Sequence, residues 1–254
     1  MGCVMLKKRL IGVITVRGGW AVQSFGYRRY LPLGRPEVLA DNLDRWGVDE
    51  IVLQCMDRSV QGLGPDFDLL DRIARLGLST PLIYLGGVRH AGDGVQVVQM
   101  GADRVGVDTL LRADLNEVVD MSSRLGAQAL VASLPLVRQG PEVLVFDHQR
   151  RTQAAIDPRV AGLLREGVVS EAFVIDCQHE GEPGGFDADL LNNLPFGPTP
   201  LIPFGGISEP AQMAQLLAHP LVVGVGVGNF LSYREHAVRL FKQALPGLPL
   251  RHPA

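Results

Sequence analysis

Four charged residues occupy the same place in four apolar runs. Arg9 precedes Leu10-Ile11-Gly12-Val13-Ile14-Thr15-Val16, and Glu50 precedes Ile51-Val52-Leu53. Arg104 precedes Val105-Gly106-Val107, and Glu171 precedes Ala172-Phe173-Val174-Ile175. A charge just ahead of a buried parallel strand is ordinarily only the solvated start of that strand. Four of alternating sign at one offset suggest instead a layer of side chains at the N-terminal rim of a barrel, where Arg and Glu neutralise one another. A second group follows the run at 171–176: Asp176, His179 and Glu180, with Asp108 ending another run. These could form an acid–base set or a metal site, with solvated loop residues as the alternative. No zinc-type spacing is present, and no metal or cofactor is assigned.

A third group is glycine. Pro81-Leu82-Ile83-Tyr84-Leu85 ends in Gly86-Gly87, Pro200-Leu201-Ile202-Pro203-Phe204 ends in Gly205-Gly206, and a further run ends in Gly228-Asn229. Glycines at a strand end let backbone N–H groups approach an anion, and the helix that follows adds partial positive charge. Gly205, Gly206, Gly228 and Asn229 are the stronger phosphate candidate, because the loops after the last two strands are the usual barrel phosphate site. Gly86 and Gly87 are weaker, since the Asp108 carboxylate would repel a phosphate. Cys55 and Cys177, with no orienting histidine, read as packing residues.

The elements that position these groups alternate along the chain. Strands are predicted over 9–16, 50–56, 81–85, 104–108, 128–133, 171–176, 200–204 and 221–227. Helices are predicted over 36–46, 67–76, 91–100, 115–125, 158–166, 187–193, 208–217 and 234–245, with Asp157 and Ser208 as N-caps. Residues 18–30 form a long loop with room for a short hairpin, whose two arginines and two tyrosines could cover a substrate, with a solvated lid as the alternative; 138–152 read as a hairpin insertion, and 1–4 as an extension ahead of Met5. This order predicts one α/β domain over 1–254, a single (β/α)8 TIM barrel with half-barrel duplication. An open doubly wound sheet is the alternative, weakened because no Gly-x-Gly-x-x-Gly follows the first strand.

The chain has 254 residues, 46% hydrophobic and 20% charged, with net charge −3, which suits one large barrel. No basic stripe marks a nucleic-acid partner and no apolar run is long enough for a membrane span. The first residues lack a signal-peptide layout and the three cysteines are far apart, so a cytoplasmic, reduced protein is expected.

Met5-Leu-Lys-Lys-Arg9, Gly47-Val-Asp-Glu50, Gly86-Gly-Val88, Gly101-Ala-Asp-Arg104, Val174-Ile-Asp176 and Phe204-Gly-Gly-Ile207 resemble the histidine-biosynthesis barrels along nearly the whole chain. The likeness is greater to the cyclase subunit of imidazole glycerol phosphate synthase. The resemblance implies a half-repeated barrel that takes ammonia from a glutaminase subunit docked at its N-terminal face. Ammonia there passes a charged gate, matched by Arg9, Glu50, Arg104 and Glu171 with one Lys replaced by Arg, to a bis-phosphate substrate at the top. Asp103 matches a residue at the glutaminase interface, and Thr109 keeps part of a phosphate site.

The catalytic end departs from the family. The family's first-strand Asp matches Thr15, its loop Lys matches Gln23, its second-strand Asp matches Cys55 and its fifth-strand Asp matches Leu134. General acid–base work needs groups that change protonation near neutral pH, and Thr, Gln and Leu do not. Three functions are therefore weighed. The first is an ammonia-channelling barrel of a glutamine-dependent amidotransferase system, as in relatives that serve sugar amidation in surface-polysaccharide pathways. The second is a true cyclase, a lyase of histidine biosynthesis. The third is a non-catalytic scaffold for a phosphorylated small molecule.

Overall fold

The computed structural model describes residues 7–192, 194–232 and 237–245. The extension at 1–4, Asn193 and the start of the closing helix at 234 lie outside the described residues. The first half holds β1 (Arg9–Arg17), β2 (Trp20–Phe25), β3 (Arg29–Gly34), α1 (Pro36–Trp46), β4 (Glu50–Cys55), α2 (Met56–Val60), α3 (Phe67–Ala74), β5 (Leu82–Leu85), α4 (Ala91–Gln99) and β6 (Arg104–Val107). After α5 (Thr109–Ala113) and α6 (Leu115–Leu125) come β7 (Leu130–Gln139), β8 (Glu142–Asp147), β9 (Thr152–Ala155), α7 (Pro158–Arg165) and β10 (Glu171–Asp176). The chain ends with β11 (Leu201–Phe204), α8 (Pro210–Ala218), β12 (Gly224–Val227) and α9 (Ala237–Gln243).

Parallel strands run β11-β10-β7-β6-β5-β4-β1, and β12 returns to β1 with Arg9 opposite Gly224 and Gly12 opposite Val227. The seam between β11 and β12 is closed by a Leu201–Val222 bridge, with Leu201 N–H donating to Leu221 C=O at 2.8 Å. The sheet therefore closes into a barrel, and the open-sheet alternative is ruled out.

β1 and β7, which open the two halves, both overrun the rim and fold back as antiparallel hairpins. β2–β3 pairs with β1 through Val16 and Ala21, and β8–β9 pairs with β7 through Leu136 and Val145. The fifth barrel strand is longer than the expected 128–133 for this reason, and its hairpin runs to Ala155. Two expected helices differ. The one at 187–193 is a single 3-10 turn over Ala188–Leu191, with the Asp187 side chain accepting Asp189 N–H. α8 begins at Pro210 with Glu209, not Ser208, at its N-cap: proline presets the first helical φ and needs no N–H partner.

Two apolar layers result. One lies between the strands and the helices. The other fills the lumen: Ile11, Val13, Val52, Ile83, Leu85, Val131, Phe173, Ile175, Ile202 and Phe204 are all buried. Phe173 and Phe204 stack there with ring centroids 5.4 Å apart. Gly226 makes room for them, since a Cβ at that position would lie 3.1 Å from Phe204 Cβ and 3.3 Å from Phe173 Cε2.

Candidate functional site

The barrel floor is built by residues that each begin a strand. Arg9 gives one guanidinium nitrogen to Glu50 at 2.8 Å and the other to Glu171 at 2.7 Å. Arg104 Nη1 reaches Glu171 at 2.7 Å and Glu50 at 3.3 Å. Each cation thus holds both anions, and the ring closes. Arg104 is further fixed by Ser170 Oγ at 2.8 Å and Gln128 C=O at 3.0 Å. Burial pushes the Glu50 carboxyl above its usual range despite both arginines. For Glu171, burial is outweighed by the summed attraction and hydrogen bonds of Arg9 and Arg104, which hold its carboxyl low.

The Gly-x-Asp preceding two of these strands has a local role. Asp49 accepts Leu10 N–H at 2.7 Å and Asp103 accepts Leu82 N–H at 2.8 Å, so each aspartate ties its strand to the neighbouring one. Asp103 stays exposed at the N-terminal rim.

Above the ring the lumen is apolar. A neutral small molecule crosses such a layer at far lower cost than an ion. At its upper end Thr15 Oγ1 donates to Gln54 Oε1 at 3.5 Å, and Tyr27 Oη lies 3.3 Å from Gln54 Oε1 and 3.2 Å from its Nε2. Tyr27 has φ 52° at the turn of the first hairpin, and its side chain packs against the apolar cluster of the lumen. Burial, then the neighbouring Glu180 and Cys177, raise its hydroxyl pKa well above the usual value, so it stays a neutral phenol. From the second hairpin, His148 meets the Tyr27 ring edge-on at 5.5 Å and Phe146 at 5.0 Å. Burial lowers the His148 pKa, so its imidazole is neutral at pH 7. The two hairpins thus roof the barrel.

The structure brings Asp176 and His179 into contact, and Asp108, Asp176 and Glu180 all face the Cys177 thiol. Asp176 is fully buried, and all its acceptor capacity is used inward: Oδ1 takes Gln178 and His179 N–H, while Oδ2 takes Asp187 N–H at 2.8 Å and lies 2.8 Å from His179 Nδ1. Asp108 instead pairs with Arg112 at 2.7 Å. Among the described residues no His/Cys/Asp/Glu group is placed to hold a metal.

The glycine candidates are in close backbone contact. A Cβ on Gly206, at φ +75°, would meet His179 O at 2.7 Å and Phe186 N at 2.8 Å; one on Gly205 would meet Asp176 O at 2.7 Å. Gly86 and Gly87 stand in the same relation to Cys55 O and Gly64 O. Gly87 N–H donates to Ser59 Oγ, whose other neighbour is Thr109 Oγ1 at 3.4 Å. Asn229 accepts Ser24 N–H and donates to Ser24 C=O at 2.6 Å, so it grips the first hairpin. The space among Glu180, Gly205, Gly206, Gly228 and Asn229 is ≈ 10 Å³, about the room for one water.

Of the residues matched by resemblance, Thr15 faces the lumen and Leu134 does not. Leu134 belongs to the outer core, and its β7 neighbour Pro135 pairs in register with lumen-lining Ile175. The position facing the mouth is therefore 135, and proline, like leucine, carries no proton there. The chemistry-bearing residues missed from the sequence are Gln54 and His148; Tyr27 lies in the 18–30 loop, whose two arginines and two tyrosines the sequence offers as a cover over a substrate. Gln54 lies within a buried strand and carried no signal, and His148 had only its place in the hairpin insertion, because tips that meet across the mouth are 121 positions apart (148 − 27).

The sequence pattern described as histidine biosynthesis protein matches residues 9–237. The chain belongs to that family. It is 27% identical over 237 residues to a Vibrio vulnificus protein designated imidazole glycerol phosphate synthase subunit hisF2, covering 92% of this chain and 86% of that one. It is 27% identical over 252 residues to the imidazole glycerol phosphate synthase subunit HisF of Solibacter usitatus, covering 97% and 99%. With HisF of Bacillus subtilis the identity is 25% over 249 residues, covering 95% and 97%. The histidine-biosynthesis barrel is thus the frame on which the ring, the lumen and the roofed mouth are mounted. No helix of the described residues is long and apolar enough to cross a membrane.

Proposed function

We propose that this chain is the ammonia-channelling barrel of a glutamine-dependent amidotransferase system. A glutaminase subunit docks at the N-terminal rim, where Asp103 is exposed. Ammonia enters at the ring of Arg9, Glu50, Arg104 and Glu171, crosses the lumen as the neutral molecule and leaves at the mouth, where a separate enzyme consumes it to amidate a sugar of a surface polysaccharide. The observation that carries this reading is a closed ion-pair ring beneath an apolar lumen that ends in Thr15, Gln54 and Tyr27. A ring of this kind handles a polar molecule at the entrance. At the positions matched to the family's first- and fifth-strand carboxylates stand Thr15 and Leu134, which cannot do the acid–base work of its cyclisation. His179, with Nδ1 fixed by Asp176, is the group best placed to move a proton at the mouth.

The test is reconstitution with the glutaminase encoded in the same genome. Glutamine hydrolysis is expected to rise on adding the barrel, and the family's ribulosyl bis-phosphate substrate is expected to show no turnover with ammonium. A barrel that binds no glutaminase refutes the reading. Turnover of the ribulosyl substrate would make the chain a true cyclase instead.

A further inference from the structure

The two hairpin tips that roof the barrel carry four exposed arginines, Arg28, Arg29, Arg150 and Arg151, and a fifth, Arg17, ends β1 beneath the first hairpin. None makes an ion pair among the described residues, whereas Arg9, Arg104, Arg112 and Arg138 each hold a carboxylate. The tips touch through Tyr27 and His148, so these cations form one collar around the mouth. Arg17 lies over the Tyr30 ring at 4.4 Å and Arg29 over Phe25 at 5.6 Å, which holds both guanidinium groups in place while leaving them open to solvent. Two carboxylates beside the collar are engaged by backbone: Asp57 accepts Gly18 N–H at 2.7 Å, and Asp147 accepts Gln149 and Arg150 N–H. Trp20, 55% exposed, lies beside Arg17 on the same hairpin.

In a chain of net charge −3, this is a concentration of positive charge at one end of the barrel, with five guanidinium groups and, among the described residues, no carboxylate in direct contact with them. Arginine and tryptophan together are the residues that dominate protein interfaces. Ammonia released into neutral water is protonated at once and loses the lone pair that makes it a nucleophile, so its exit must be covered when it is consumed.

We propose that the collar is a docking platform for an acidic surface of the ammonia-consuming enzyme, seated mouth to mouth over the barrel. This rests on the ammonia-channel reading above. The occupant is a protein with carboxylates opposite the five arginines, and Trp20 supplies an apolar anchor beside Arg17.

The test uses the full chain with its glutaminase, in its own cells, with a benzophenone amino acid at position 31 on the exposed face of the first hairpin. The expected crosslink is to one ammonia-consuming enzyme. Arg28→Glu, Arg29→Glu, Arg150→Glu and Arg151→Glu together should lower that crosslink and the transfer of glutamine nitrogen to the enzyme's product by about tenfold or more. Stimulation of the glutaminase should be unchanged, and Glu→Arg reversals at the crosslinked face of the partner should restore transfer. Crosslinks to a second copy alone, to nothing, or insensitive to the four reversals overturn the proposal. So does inorganic pyrophosphate that raises the melting temperature of the wild type and not of the reversed variant, which would make the collar a small-anion site. If the wild-type chain fails to stimulate the glutaminase, the channel reading falls. If stimulation is intact and no acidic partner is captured, only the docking proposal falls.

Discussion

Glu180 accepts the Ser24 hydroxyl at 2.9 Å across the barrel mouth, beside glycines expected to receive a phosphate. The same carboxylate takes Tyr27 N–H at 3.1 Å, and the Glu180 C=O takes Gly26 N–H at 2.7 Å. The protein's own anion thus latches the first hairpin shut. Burial, more than these bonds offset, holds the Glu180 carboxyl above its ordinary range. Its ionisation therefore costs stability: the contribution is full below the unfolded carboxyl pKa and is lost as pH rises through the folded one. Glu180→Ala leaves a buried hydroxyl and amide without an acceptor, and should cost about 1–3 kcal/mol. Glu180→Gln, uncharged but still an acceptor, should cost less. Hydrogen exchange at residues 24–27 should quicken in both variants, and unchanged exchange would deny the latch.

Arg9 is the ring member whose two nitrogens divide between the two glutamates. Arg9→Ala should leave the barrel folded and uncouple glutamine hydrolysis from nitrogen transfer, with hydrolysis continuing while labelled ammonia appears in solvent. Coupling as tight as in the wild type would make the ring structural only.

The two glutamates of that ring differ in sign of shift. Glu171 is held below its usual carboxyl range, so its stability contribution is present above the unfolded pKa and lost as pH falls through the folded one. Glu50 is held above, so it takes up a proton first as pH falls and its ionised form is the costly one. Glu171→Gln should therefore destabilise at pH 7 by roughly 3 kcal/mol, as loss of one partner of a buried pair does, and Glu50→Gln by less. Denaturant melts of the two variants give the order, and the reverse order contradicts these shifts.

Gly206 tests what the glycine pair is for. Its positive φ and the backbone atoms within 3.0 Å of a would-be Cβ require glycine with or without a ligand. Gly206→Ala should cost about 2 kcal/mol or more in phosphate-free buffer. A variant as stable as the wild type would assign the glycine to ligand binding alone.

The barrel was legible because its signals are local and repeated. An apolar run recurs at each buried parallel strand, four of them opened by a charge and others closed by glycine, and Pro36, Asp157 and Pro158 mark helix starts by their own backbone chemistry. The ring was legible for the same reason, since strand starts at one barrel end share one layer. Ser208 misled as a cap because Pro210 fixes the helix start two residues on.

The sequence by itself determined the strand–helix order, the closed barrel it favours and the four charges at the floor, because periodicity and position within a strand are one-dimensional properties. Only the tertiary structure decided which residues roof the mouth. Tyr27, His148 and Glu180 meet there because two hairpins from opposite halves fold over one opening, and such contacts depend on barrel closure rather than on any spacing along the chain. It also decided that Leu134 faces away from the lumen, since one residue of register along a strand exchanges the inside for the outside.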